Sequence, residues 1–243
     1  MAESIGRLNL DTEIRRISNQ PKLGIIAGSG PDAGLDLWWK LLHTRRVQLN
    51  RKYRGDLDAP DVRIHSVPLL GLSMDMERYA DVVWTELCSV AEQMASDCDA
   101  YTIACNTLHY FSNRLGKISG GRFISVQDVV REELIARGRK KFALLGASPV
   151  MSLGKWSPYS ELQSDFEIET IDGRIVDELI YSIKIAGDST PELSSRLMEI
   201  VNGLNSELIV LGCTELPLVK PFPTHHVFLD VTSLLASALL RTK

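Results

Sequence analysis

Residues 102–111 read TIACNTLHYF, and residues 209–218 read IVLGCTELPL. In each, an apolar run ends at a cysteine and small polar residues follow at once. A short apolar run of this kind is a buried strand, and its carboxyl end is where parallel α/β sheets build their sites. The same junction at Cys105 and again at Cys213 makes the chain two related halves.

Working outward, β-rich runs fall at 22–27, 62–67, 100–105 and 122–126, and a second series at 141–146, 166–171, 208–213 and 226–230. Helical periodicity fills 32–49, 76–96, 107–117, 128–138, 172–186, 190–204 and 231–241. The alternation predicts an α/β fold of two pseudo-symmetric lobes, each a mainly parallel sheet flanked by helices, with the active site between the lobes. The first strand of each series runs into a small-residue turn, GSGPDAG at 28–34 and GASPVMSLG at 146–154, and the third ends at a cysteine. Residues 1–127 plus 231–243 are expected to form the N-terminal lobe carrying Cys105, and 128–230 the second lobe carrying Cys213.

The bulk numbers narrow the function. A net charge of −4 offers no cationic surface for polyanions, so no nucleic-acid partner is expected. No run approaches the roughly 20 apolar residues of a bilayer span, and the opening MAESIGRLNLDTEIRRISNQPK is charged throughout, so a cytoplasmic protein without membrane contact is expected. Four cysteines (Cys88, Cys98, Cys105, Cys213) without a C-x-x-C pair read as free thiols. Cys88 and Cys98 read as packing residues. Cys98, Cys105 and His109 lack a fourth ligand, and no metal is expected.

If the lobes face one another, the two sulfurs flank one small molecule. One thiolate then removes a proton from a stereocentre while the opposite thiol returns one to the other face. A reference thiol pKa of about 8.5, lowered at a helix N-terminus, suits a sulfur to both roles. Asn106 and Thr107 after Cys105, and Thr214 after Cys213, can hold a carboxylate, and Pro217 suits the first turn of a following helix. Ser29 and Ser148, in the two small-residue turns, are further carboxylate contacts. His109, four residues past Cys105, reads either as a proton relay or as a packed histidine. Glu215 reads either as a partner of the substrate ammonium or the thiol, or as an acid compensating a helix dipole.

GIIAGSGPDAG, ACNTLH and LGCTELPL, in this order and spacing, resemble the signature segments of the pyridoxal-independent aspartate/glutamate racemase family, from about residue 22 to 240. The resemblance implies a two-lobed fold, a cofactor-independent amino-acid racemase, Cys105 and Cys213 as the catalytic pair, substrate contacts from Asn106, Thr107 and Thr214, and a homodimer. It also implies a substrate-carboxylate contact for Lys184, within DGRIVDELIYSIKIAG, which on its own terms reads equally as a snorkelling surface lysine. Aspartate racemases of this group carry an arginine in the loop after the second strand. Here that loop reads VPLLGLSMDMERY, with Leu70, Leu72, Met74 and Met76 where the cation is wanted, and the nearest basic residues are Arg78 and the earlier Arg51, Lys52 and Arg54.

Three other readings stay open. Gly28-Ser29-Gly30-Pro31-Asp32-Ala33 satisfies G-x-G-x-x-A, as in NAD-binding oxidoreductases, although VRIHSV ends without the acid that holds a ribose. A cysteine-dependent isomerase of an unsaturated diacid shares the superfamily. A non-catalytic ligand-binding protein would keep the cleft without turnover.

Overall fold

Two parallel sheets organise the computed structural model, which describes residues 20–187 and 189–242. The expectation drawn from the opening segment falls on residues 1–19, outside the described residues. In the first sheet β1 (Lys22–Ala27) lies between β2 (Asp61–Ser66) and β3 (Ala100–Ile103). In the second, β4 (Lys141–Leu145) pairs with β5 (Glu167–Glu169) on one side and β6 (Leu208–Leu211) on the other, and β6 pairs with β7 (Val227–Asp230). All pairings are parallel.

The strand expected at 122–126 shrinks to one parallel bridge, Tyr101 with Phe123. Its cause is local: Ser125 turns to cap α4 (Val126–Ala136), its hydroxyl accepting from the Asp128 amide at 3.3 Å. Even so, the bridge stands beside β3 as β7 stands beside β6, so the two halves share one connectivity.

The remaining helices start and stop where their caps dictate. They are α1 (Pro31–Leu49), α2 (Met76–Asp97), α3 (Ser112–Ser119), α5 (Ser148–Met151), α6 (Gly173–Ala186), α7 (Pro191–Asn202) and α8 (Val231–Leu239). Asp75, Asp172, Thr190 and Asp230 accept from first-turn amides of α2, α6, α7 and α8, satisfying donors that have no intrahelical partner. Gly187 closes α6 with φ 66°, which a side chain would resist.

One apolar cluster spans both halves: Leu23, Ile25, Leu37 and Leu41 meet Phe142, Leu144, Val210, Leu235 and Leu239, all buried. Fully burying a side chain of this size stabilises by about 1.5–3 kcal/mol, so the halves are held together as a packed core. The final helix, α8, leaves the second sheet and packs on α1 and α4. Among the described residues no helix is long and apolar enough to cross a membrane.

Candidate active site

Cys105 lies two residues past the end of β3, and Cys213 two past the end of β6. Both sulfurs are buried. The two junctions are fastened to each other: Thr214 Oγ1 donates to the Ala104 carbonyl at 3.2 Å, and the Tyr159 hydroxyl donates to Asn106 Oδ1. Tyr159 comes from the second half, and its hydroxyl is held protonated by burial and then by the nearby Cys213. Lys184, from α6, crosses to the first half, where its ammonium donates to the Ser29 carbonyl at 2.8 Å.

Around Cys213 the dominant neighbour is Glu215. The Cys213 thiol donates to Glu215 Oε2 at 2.9 Å, Thr214 Oγ1 lies 3.3 Å from the same oxygen, and Lys184 Nζ stands 3.3 Å from Oε1. Burial, followed by the Glu215 charge, pushes the Cys213 thiol well above its ordinary range, so it rests protonated. This reverses the expectation of a thiol lowered by a helix N-terminus. After Cys213 the chain makes only a 3-10 turn, Leu216–Leu218, because Val219 is extended and Pro221 and Pro223 follow. No helix dipole is available there to offset desolvation.

Lys184 is tuned in the opposite balance. Burial lowers its pKa, but Glu215, Cys105 and Cys213 each raise it, and the net direction is up. Both sulfurs therefore act on one ammonium, which stays cationic.

Around Cys105 the partners are hydroxyls. Ser73 Oγ lies 3.7 Å from Cys105 Sγ and 2.9 Å from Ser29 Oγ, with both serines buried. Asn106 is 3% exposed, and its Nδ2 has no hydrogen-bond partner among the described residues. A buried donor left unmade costs about 1–3 kcal/mol. Thr107 is buried next to it, opening the 3-10 turn Thr107–Phe111 that precedes α3 in place of the single helix expected at 107–117.

A cavity of about 250 Å³ opens above this arrangement, with Ser29, Gly30, Lys184 and Glu215 in its wall. Neither sulfur lines the cavity: Cys213 is one hydrogen bond from the wall residue Glu215, and Cys105 is two links from the wall residue Ser29, through Ser73.

Two predicted residues are engaged elsewhere. His109 is fully buried, its Nδ1 accepting from the Val126 amide at 3.1 Å and its Nε2 facing the Ile103 carbonyl at 3.0 Å. Both ring nitrogens are used, and burial pushes its pKa down to about 4, which favours the neutral ring. Of the two readings offered for His109, the geometry corresponds to the packed one. Ser148 spends its amide and hydroxyl on the Asp177 carboxylate, the amide at 2.9 Å, and is absent from the cavity wall. Ser73 and Tyr159 were not anticipated: each is a lone polar residue in an aperiodic segment, and neither carried a pattern. Cys98 stands at the opposite end of β3 from Cys105, and Cys88 is half-buried on α2 beside Glu92.

The dinucleotide-like turn is occupied from within. A Cβ on Gly30, which has φ 144°, would lie 2.0 Å from Glu215 Oε1. That close approach serves Glu215, whose charge would repel a pyrophosphate at the same place.

The family model for Asp/Glu/Hydantoin racemases matches residues 48–239. The chain belongs to this family. Solved racemases share its fold. An aspartate racemase from Picrophilus torridus superposes with a TM-score of 0.75 at 21% identity, over 91% of this chain and 93% of its own. A glutamate racemase from Francisella tularensis subsp. tularensis SCHU S4, in complex with D-glutamate, has a TM-score of 0.60 at 14% identity, over 91% and 80%. A mutant of arylmalonate decarboxylase has a TM-score of 0.54 at 15% identity, over 91% and 92%. No curated protein sequence matches the chain. In this racemase-family site the basic residues near the second strand stay outside the cavity wall: Arg54 bonds to Asp58, Arg78 lies over the Tyr79 ring, and Arg51 and Lys52 are exposed in a 3-10 turn.

Proposed function

We propose that the chain is a cofactor-independent amino-acid racemase in which Cys105 and Cys213 act on opposite faces of the substrate α-carbon. The observation that supports this reading is that the two cysteine loops are tied by the Thr214 to Ala104 hydrogen bond, with Lys184 reaching from the Glu215 beside Cys213 to the Ser29 carbonyl of the first half. In this reading the two thiols share one substrate-sized space.

In the half-reaction that starts with Cys213 protonated, Cys105 acts as the thiolate: it takes the α-proton and forms an S–H bond, leaving the electron pair on the α-carbon and its carboxylate. Cys213 then delivers its proton to the opposite face and becomes the thiolate. The reverse direction exchanges the roles. Ser73 donates to Cys105 when the latter is ionised, and Asn106 Nδ2 and Lys184 take the substrate carboxylate as charge accumulates on it. With Cys105 ionised, Glu215 and Lys184 bring the group to a net charge of −1, which the substrate ammonium neutralises. In this reading Thr107 and Thr214 shape the loops that present the two sulfurs.

The test is solvent exchange: in deuterated water, substrate recovered in both configurations should carry deuterium at the α-carbon. Inversion without any deuterium gain would contradict the reading.

A further inference from the structure

Resting on the racemase reading above, we infer that the amino acid accepted here has an uncharged, apolar side chain in place of a second carboxylate. On that reading the α-carbon sits between the sulfurs, which connect to the cavity wall through Ser73 and Ser29 and through Glu215, and the side chain projects into the adjoining 250 Å³. That space is walled by Ala33, Met74, Tyr181 and Leu218.

Its charges are unfavourable to an acid. The wall holds two carboxylates, Asp32 and Glu215, against one cation, Lys184, so it carries a net −1 before any thiol ionises. Lys184 has three N–H donors. One goes to the Ser29 carbonyl and one faces Glu215, which leaves one for the α-carboxylate and none for a second acid. No other basic residue lines the cavity among the described residues. A side-chain carboxylate would enter a negative, partly apolar pocket with no side-chain cation left to pair with it, whereas a thioether or branched alkyl group meets Met74 and Leu218 directly.

A chiral assay of the full chain with L-methionine, L-leucine, L-aspartate and L-glutamate tests this. The expected result is a kcat/KM for methionine or leucine at least tenfold above that for either acid. Equal or greater turnover of aspartate or glutamate overturns the inference and leaves the racemase reading standing. Absence of both inversion and α-deuterium exchange with all four removes the racemase reading and this inference with it. As a second measurement, Met74→Arg places a cation in the wall and should raise the aspartate-to-methionine ratio of kcat/KM at least tenfold. An unchanged ratio in Met74→Arg protein whose thermal midpoint matches wild type contradicts the placement of the side chain in this cavity.

Discussion

Thr214 Oγ1 donates to the Ala104 carbonyl across 3.2 Å, so the residue after one cysteine is fastened to the residue before the other. The bond is buried, at the seam between two sheets that make no strand pairing with each other. Thr214→Val keeps the shape and deletes the donor. It should lower kcat at least tenfold and stability by about 1 kcal/mol, the net worth of one such bond. An unchanged kcat with chirality followed directly would show that the clamp does not position the sulfurs.

Glu215 is what keeps the Cys213 proton in place after burial itself. Glu215→Gln removes the charge while keeping an acceptor at the same position. Cys213 should then ionise at lower pH, seen as thiolate ultraviolet absorbance and faster alkylation in a Cys105→Ala background. A titration superimposable on that of the parent would count against the assignment.

Ser73 joins Ser29 to Cys105 through links of 2.9 and 3.7 Å among buried side chains. Ser73→Ala leaves the thiolate of Cys105 without that donor. The kcat should fall at least threefold, since a hydrogen bond to a charged group is worth roughly 1.5–3 kcal/mol at most. A loss of thermal stability with no change in kcat would make Ser73 a packing residue.

His109 predicts a pH dependence of stability that is separate from catalysis. Its pKa falls from 6.5 to about 4 on folding. The folded state thus binds fewer protons than the unfolded one between those values. The stability it contributes is present above pH 6.5 and is lost as pH falls toward 4, by about 3 kcal/mol in all. His109→Gln, which can still accept from Val126 and donate to Ile103, should flatten the slope in that window. A slope unchanged in the variant would assign the acid sensitivity to other groups.

The parts of the molecule that could be read from the sequence are those with a period. The runs at 22–27, 141–146 and 208–213 are continuously apolar because both faces of a parallel strand are covered, and they became β1, β4 and β6 with ends shifted by at most two residues. The strand at 122–126 failed because Ser125 is worth more as a cap than as a pairing residue. The helix expected after Cys213 failed because Pro221 and Pro223 deny it a second turn. At the site, the cysteines, Asn106, Thr214, Glu215 and Lys184 were legible from repetition and resemblance. Ser73, Tyr159 and the Asp177 that occupies Ser148 were not, since their roles arise from contacts 32, 53 and 29 residues apart in sequence.

The most direct measurement follows each pure enantiomer in deuterated water with Cys105→Ala and Cys213→Ala. Each variant should lose inversion in both directions, and Cys213→Ala should still exchange the α-proton of the one enantiomer whose hydrogen faces Cys105. Full inversion by either single variant, or exchange of both enantiomers by Cys213→Ala at the wild-type rate, would contradict a pair of sulfurs working from opposite faces.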